Sequence, residues 1–428
     1  MKGKWLLATV LLVGCTSTGE EAESTAKSLY VAPNGSDKNT GTLKHPFKTI
    51  RQATLKATAG TTVYLRKGTY HEKLNVRQSG TKQHPIVFRN YKQERVVLNG
   101  ENIKDRDATL PIIQIKDQKY VTIQGLTIEA VQSKRSDATP IGILVTGSGS
   151  HITLKNNTVR QIKTLAKDGN AHGIAVYGTR AIRHLTITGN RVEQNRLGFS
   201  EALVLNGNVK HFRVTKNVVR DNDNIGIDLI GHEGIAQSKK DDYVREGVVS
   251  ENRVYRTSSY GNPAYGKEYS AAGIYVDGGK NLTIEKNLVE ASDIGIEVTS
   301  EHAGRYAEDV IVRQNGVRQN VYTGIAIGGY DTKRGGTKRV RIEQNQLIGN
   351  DTKGLEGGQL LVQHDVHDNT IIGNTFDGSL SVAHYFKTSS GNQFEQNTFK
   401  HTKRFMWRDT SYKTEQSFLR AVRKVEGR

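Results

Sequence analysis

Residues 272–290 read AGIYVDGGKNLTIEKNLVE: a short strand, Gly273-Ile274-Tyr275-Val276, then a second strand that runs into Asn287. The same two-part unit recurs along the chain. Its first strand returns at Gly142-Ile143-Leu144-Val145, Gly173-Ile174-Ala175-Val176, Gly226-Ile227-Asp228-Leu229, Gly295-Ile296-Glu297-Val298 and Gly324-Ile325-Ala326-Ile327, with a degenerate copy at Ala202-Leu203-Val204-Leu205. The second strand ends at Asn157, Asn190, Asn217, Asn252, Asn287, Asn315, Asn345, Asn374 and Asn397, asparagines spaced 23 to 35 residues apart. One residue kept in register that often marks a stacked array. Period-two alternation in short β-rich segments argues for coils of strand, whereas a helical solenoid needs apolar residues at helical spacing. Stacked coils lie about 4.8 Å apart, so equivalent side chains form ladders. The asparagines are expected to form such a ladder, each amide satisfying backbone groups in a tight turn.

Composition agrees with a thin core. Of 428 residues only 35% are hydrophobic, below the roughly 45–50% of ordinary globular chains, and 44 are glycine. The single cysteine excludes a disulfide scaffold, and the lack of a second long apolar run excludes a polytopic membrane protein. A net charge of +18 points to a polyanionic partner, nucleic acid or acidic polysaccharide.

The amino terminus decides between those two. Lys2 and Lys4 precede an apolar run from Trp5 to Val13, too short to span a bilayer but suited to a secretory signal. Leu12-Val13-Gly14-Cys15 resembles the bacterial lipoprotein cleavage box, whose cysteine becomes the lipidated first residue. The expected organisation is a signal over 1–15 ending at the lipidated Cys15, a flexible tether over 16–28, and one domain over 29–428. Such a protein is exported and lipid-anchored in the bacterial cell envelope, at the outer membrane or facing the periplasm. It meets the membrane through its anchor only. Export turns the basic charge away from nucleic acid and towards an acidic polysaccharide or oligosaccharide, bound by a monomer.

The repeats resemble the right-handed parallel β-helix superfamily of pectate lyases, alginate and chondroitin lyases and polygalacturonases. The resemblance extends to Leu29-Tyr30-Val31-Ala32-Pro33-Asn34-Gly35, Pro46-Phe47-Lys48-Thr49-Ile50 and Gly68-Thr69-Tyr70. In similar lyases this opening is a strand, a short helix capping the coil stack, and the first coil. The implied fold is all-β, a single-stranded right-handed parallel β-helix with a short N-terminal capping helix. Phe47, Ile50, Ala53, Leu55 and Ala57 supply one apolar side for that helix, and Phe418, Leu419, Val422 and Val425 suggest a second cap at the far end.

If Ile and Val of each Gly-Ile-x-Val point inward, x points outward. The outward series reads Leu144, Ala175, Val204, Asp228, Tyr275, Glu297, Ala326 and Leu361, and one step further on the same face stands Asp277. Two carboxylates and a tyrosine therefore fall on consecutive coils, flanked by insertions over 231–246 and 256–270. The loops add Tyr265 and Lys267, then Glu301 and Arg305, then Tyr330 and Arg334. Tyr275, Tyr265, Glu301, Tyr330 and Arg334 are candidate substrate contacts, since tyrosines stack on sugar faces and cations meet uronates. The resemblance to lyases implies β-elimination assisted by Ca²⁺, with Asp228, Asp277 and Glu297 as calcium ligands and Lys267, Lys280 or Arg305 as base. None of these matches a diagnostic motif. The alternatives are a glycoside hydrolase using Asp277 and Glu297 as acid and base, or a noncatalytic glycan-binding protein. Asp241-Asp242 reads as a solvated loop, and the scattered histidines, His172 and His232 among them, as structural or surface groups.

Overall fold

The computed structural model describes residues 27–104 and 106–426. Cys15, the expected lipidation site, together with the expected signal and most of the expected tether, lies outside the described residues. The first strand, Lys27–Val31, opens a stack of parallel strands in which each coil pairs with the next. Register follows the repeat: Ile143 pairs with Ile174, Ile174 with Leu203, Leu203 with Ile227, Ile227 with Ile274, Ile274 with Ile296, and Ile296 with Ile325. The described residues form a parallel β-helix, with a 27-stranded sheet on two faces and a 12-stranded sheet on the third. The repeating Ile and Val residues are fully buried in one continuous core that runs the length of the stack. Among the described residues no helix is long and apolar enough to cross a membrane.

The leading glycine of each repeat sits at a corner. A Cβ on Gly173 would stand 2.5 Å from Val192 Cγ1 and 2.7 Å from the Ala202 carbonyl. On Gly295 it would meet Val317 Cγ1 and the Gly324 carbonyl at 2.4 and 2.3 Å. Glycine is required because the chain bends there against the opposite wall of the coil. The bend also turns two successive residues inward, so the residue before the glycine joins the outer face, contrary to strict alternation.

The asparagine ladder is present over its whole length. Each backbone N–H and side-chain Nδ2 donates to the Oδ1 of the asparagine one coil on, as from Asn217 to Asn252 and from Asn252 to Asn287, all at 2.9 Å. The left-handed backbone falls on the residue before the ladder position, for example Glu251 with φ 55° and Lys286 with φ 54°. A second ladder, not foreseen, links Asn195 to Asn222 and Asn320 to Asn350, with Thr257 and Ser292 bonded between them.

Both ends are covered. Helix α1, Ile50–Lys56, is N-capped by Thr49 and buries Ile50, Ala53 and Thr54, while Leu55 is exposed on its outer side rather than packed. Helix α2, Glu415–Glu426, buries Phe418 and Val422 against the last coil, and Val425 faces outward. Phe418 stacks on Phe405 at 4.6 Å. Glu426 ends a third short ladder by accepting from the backbone N–H and Nδ2 of Asn392 and from Ser389 Oγ.

Candidate functional site

The outward row has Asp228 paired with Val204 on one side and Tyr275 on the other, and Tyr275 paired in turn with Glu297. Apolar neighbours flank it. Leu144, Ala175, Val204, Ile141 and Ile230 form one outer cluster, and Ala272, Tyr275, Ala326 and Leu361 belong to another. The acids are therefore sunk in a covered face: Asp228, Asp277 and Glu297 are 2, 4 and 6% exposed.

The insertions that cover them are pinned by buried polar groups. In the 231–246 loop Asp242 is buried and accepts from the N–H groups of Gly234 and Ala236, so it organises the loop instead of being solvated. That fold carries Glu233 back over the face, where Asn206 Nδ2 donates to its Oε2 at 2.6 Å. The second insertion is held by Asp293, which accepts from Ser258, Ser259 and Ala271, and by Asn262, which donates to the Gly198 and Asp223 carbonyls. Tyr265 is thereby set edge-on to Phe199 at 5.7 Å. After Thr299 the chain turns so that Glu301 N–H donates to Asp277 Oδ1 at 2.6 Å, and Tyr275 OH donates to Glu301 Oε1 at 3.3 Å.

The bend at each glycine brings in residues that the alternating pattern missed. His172 Nε2 lies 2.7 Å from Tyr177 OH, and its Nδ1 is 3.5 Å from Glu201 Oε2. His172, Tyr177, Glu201, Asn206 and Glu233 line a recess of about 370 Å³ walled by Phe199. Tyr177 separates it from a neighbouring recess of about 490 Å³ lined by Gln114, Leu144, Thr146 and Arg180. Together they form a groove along the stack whose far end is lined by Glu201, Asn206 and Glu233. The signal available in the sequence was the residue immediately before each corner, His172 before Gly173 and Glu201 before Ala202.

Burial and mutual repulsion govern the charges. Burial, joined by Glu233 and Glu301, pushes Glu201 up to about 8; burial and Glu301 push Glu297 up to about 8. Asp228 is held well above the usual carboxylate range by burial and by Glu201, Asp277 and Glu233, and Asp277 by burial and Glu301. Burial pulls His172 down to about 4, and burial with Arg305 and Lys280 does the same to His232.

Other predicted residues fall at the rim. Tyr330 is 43% exposed beneath the Arg334 guanidinium, which is 4.8 Å from its ring centroid and 4.0 Å from Glu301 Oε2. Lys267 is exposed in the second insertion, and Arg305 is exposed beside His232. Asp221 and Asp223 serve the turns, one paired with Arg256 and the other accepting from Leu197 N–H.

The three expected calcium ligands are not drawn together. Tyr275 stands in register between Asp228 and Glu297, leaving them two strands, roughly 9.6 Å, apart. Among the described residues, the group whose ligand atoms lie within 4.8 Å of one another is Glu233, Asp277 and His302. Calcium takes six to eight oxygens, and a set that includes an imidazole does not match it. Of the expected trio only Asp277 belongs to that group.

Coils, caps and a groove over the outer face define a right-handed parallel β-helix of the pectate lyase-like superfamily. Residues 29–186 match the Pel9A-like right-handed β-helix region, and residues 232–418 match the family described as periplasmic copper-binding protein (NosD). Within that superfamily the chain belongs to the family of the uncharacterized protein YwoF of Bacillus subtilis (strain 168), with 50% identity over 425 residues, 98% of this chain and 90% of that one. A shorter stretch of 106 residues is 41% identical to pectate lyase PEL9 of Emericella nidulans, covering 22% of this chain and 26% of that one. The fold is shared with GH136 lacto-N-biosidase from Eubacterium ramulus, with TM-score 0.61 and 14% identity over 88% of this chain and 68% of that one.

Proposed function

We propose that the protein is an exported glycan-cleaving enzyme that hydrolyses a glycosidic bond over the Asp228–Tyr275–Glu297 row. The observation that carries this reading is the pair of buried carboxyls held two strands apart across Tyr275. Their backbone spacing of roughly 9.6 Å is close to the roughly 6.5–9.5 Å between the carboxyls of inverting glycosidases. Glu297, raised to about 8, keeps its proton at neutral pH and donates it to the leaving oxygen. Asp228, whose Oδ1 has no protein partner, is placed to take the proton of the attacking water; because burial and its acidic neighbours raise it too, it does so only when it, rather than Glu297, is the ionised member of the pair. Phe199 and Tyr265 offer a sugar-stacking wall, and Tyr330 with Arg334 a second contact at the rim. The chain's +18 charge suits an acidic polymer beyond the acidic floor. The amino-terminal segment and the match to a family named periplasmic support export, with lipidation at Cys15 as the anchor.

A second reading, β-elimination at a uronate, is favoured by Arg305 and Lys280, which lie close enough to His232 to depress it and would serve as base or charge neutraliser. The test is incubation with neutral and uronic-acid polysaccharides, with calcium or EDTA, following reducing ends and unsaturated-uronate absorbance together. Hydrolysis predicts reducing ends without absorbance, lost in Glu297→Gln and in Asp228→Asn. Absorbance rising with the reducing ends would replace it by elimination, and tight retention of glycan with neither signal would leave a binding protein.

A further inference from the structure

Three ligand types converge beside the proposed catalytic row without belonging to it. Glu233 comes from the first insertion, Asp277 from the strand Ala272–Asp277, and His302 from the turn that follows Thr299. Their ligand atoms all lie within 4.8 Å of one another. Around them are polar atoms with no protein partner. Asn206 is 2% exposed, and while its Nδ2 bonds Glu233, its Oδ1 has none. Asp228 Oδ1, on a side chain also 2% exposed and electrostatically coupled to Asp277 and Glu233, is likewise unpaired. The Nε2 atoms of His232 and His302 are unpaired too, the two rings 6.5 Å apart. The nearest guanidinium groups stand off the cluster, Arg334 at 4.0 Å from Glu301 Oε2 and Arg305 beside His232.

We infer that Glu233, Asp277 and His302 form a binding site for a divalent first-row transition cation, of which zinc is representative. One imidazole and two carboxylates are the donor set of borderline cations, and a nitrogen donor selects against calcium and magnesium. Two of the three ligands come from loops that cover the groove, so the ion ties both loops to the sheet face. The inference stands apart from the hydrolytic reading, because metal binding is read without any glycan.

The experiment uses the full-length protein, stripped with EDTA and titrated with Zn²⁺, Co²⁺ and Ca²⁺ by calorimetry, visible absorption and thermal unfolding. One Zn²⁺ per chain, a Co²⁺ d–d band and a higher Tm are expected. His302→Gln and Glu233→Gln should each weaken Zn²⁺ at least tenfold and remove the cobalt band. Glu233 is exposed, so its variant keeps the test meaningful if His302→Gln folds poorly. Absence of saturable Zn²⁺ binding by the unmutated protein, undiminished binding by a folded variant, or equal competition by Ca²⁺ would overturn the site.

Discussion

Asp277 Oδ1 accepts the backbone N–H of Glu301 at 2.6 Å, so a buried carboxyl on the sheet fixes the path of the loop that follows the next strand. This bond, with Tyr275 OH to Glu301 and His302 N–H to Ser300 Oγ, holds the turn that carries Glu301 and His302. Asp277→Asn keeps an oxygen acceptor and should keep the loop in place. Asp277→Ala should remove it, with a loss of about 1–3 kcal/mol. Hydrogen exchange at the Glu301 amide, compared between the two metal-free variants, checks the difference.

Stability of the stripped protein should fall between pH 6.5 and 8. Glu201 and Glu297 hold protons up to about 8, against an ordinary glutamate value of 4.5. Over that interval the native state binds more protons than the unfolded chain, so rising pH favours unfolding. His172, lowered to about 4, acts in the opposite direction only below its ordinary 6.5, which sets the lower edge of the window. Tm measured across the window should decline by several degrees, and less steeply in Glu297→Gln.

Asn252→Ala should cost about 3 kcal/mol in urea unfolding, because the Asn217 N–H loses its acceptor, Asn217 Nδ2 keeps only the Ile187 carbonyl, and the Val214 carbonyl loses the Asn252 amide inside the core. Asn397 ends the ladder and is half-buried, so Asn397→Ala should cost about 1 kcal/mol.

Glu426→Ala should loosen the carboxy-terminal end selectively. Asn392 and Ser389 lose a buried acceptor, at about 2 kcal/mol. Hydrogen exchange should quicken around residues 389–407 and remain unchanged near Asn217.

Tyr265→Ala should raise KM several-fold on a cleaved glycan with little change in kcat, since the ring braces Phe199, which walls the recess, and makes no hydrogen bond to Asp228 or Glu297. Steady-state kinetics on a defined oligosaccharide separates the two parameters.

The repeat itself was legible from the order of residues. Period-two strands, a glycine at each corner and an asparagine in each turn are local requirements of a coil, and stacking makes them recur in register. The outward positions of Asp228, Tyr275, Asp277 and Glu297 followed from the same periodicity. Tertiary structure decided what those positions mean. Loops at 231–246 and 258–270 have no repeat, and their paths depend on bonds across coils, such as Asn262 to Gly198 and Asn206 to Glu233. Only those paths bury the acids, raise their proton affinity and bring Glu233 and His302 to Asp277. The corners, at Gly173 and Ala202, hid His172 and Glu201 for a related reason: a bend shifts the phase of alternation by one residue, and that shift is a property of the packed coil rather than of the strand.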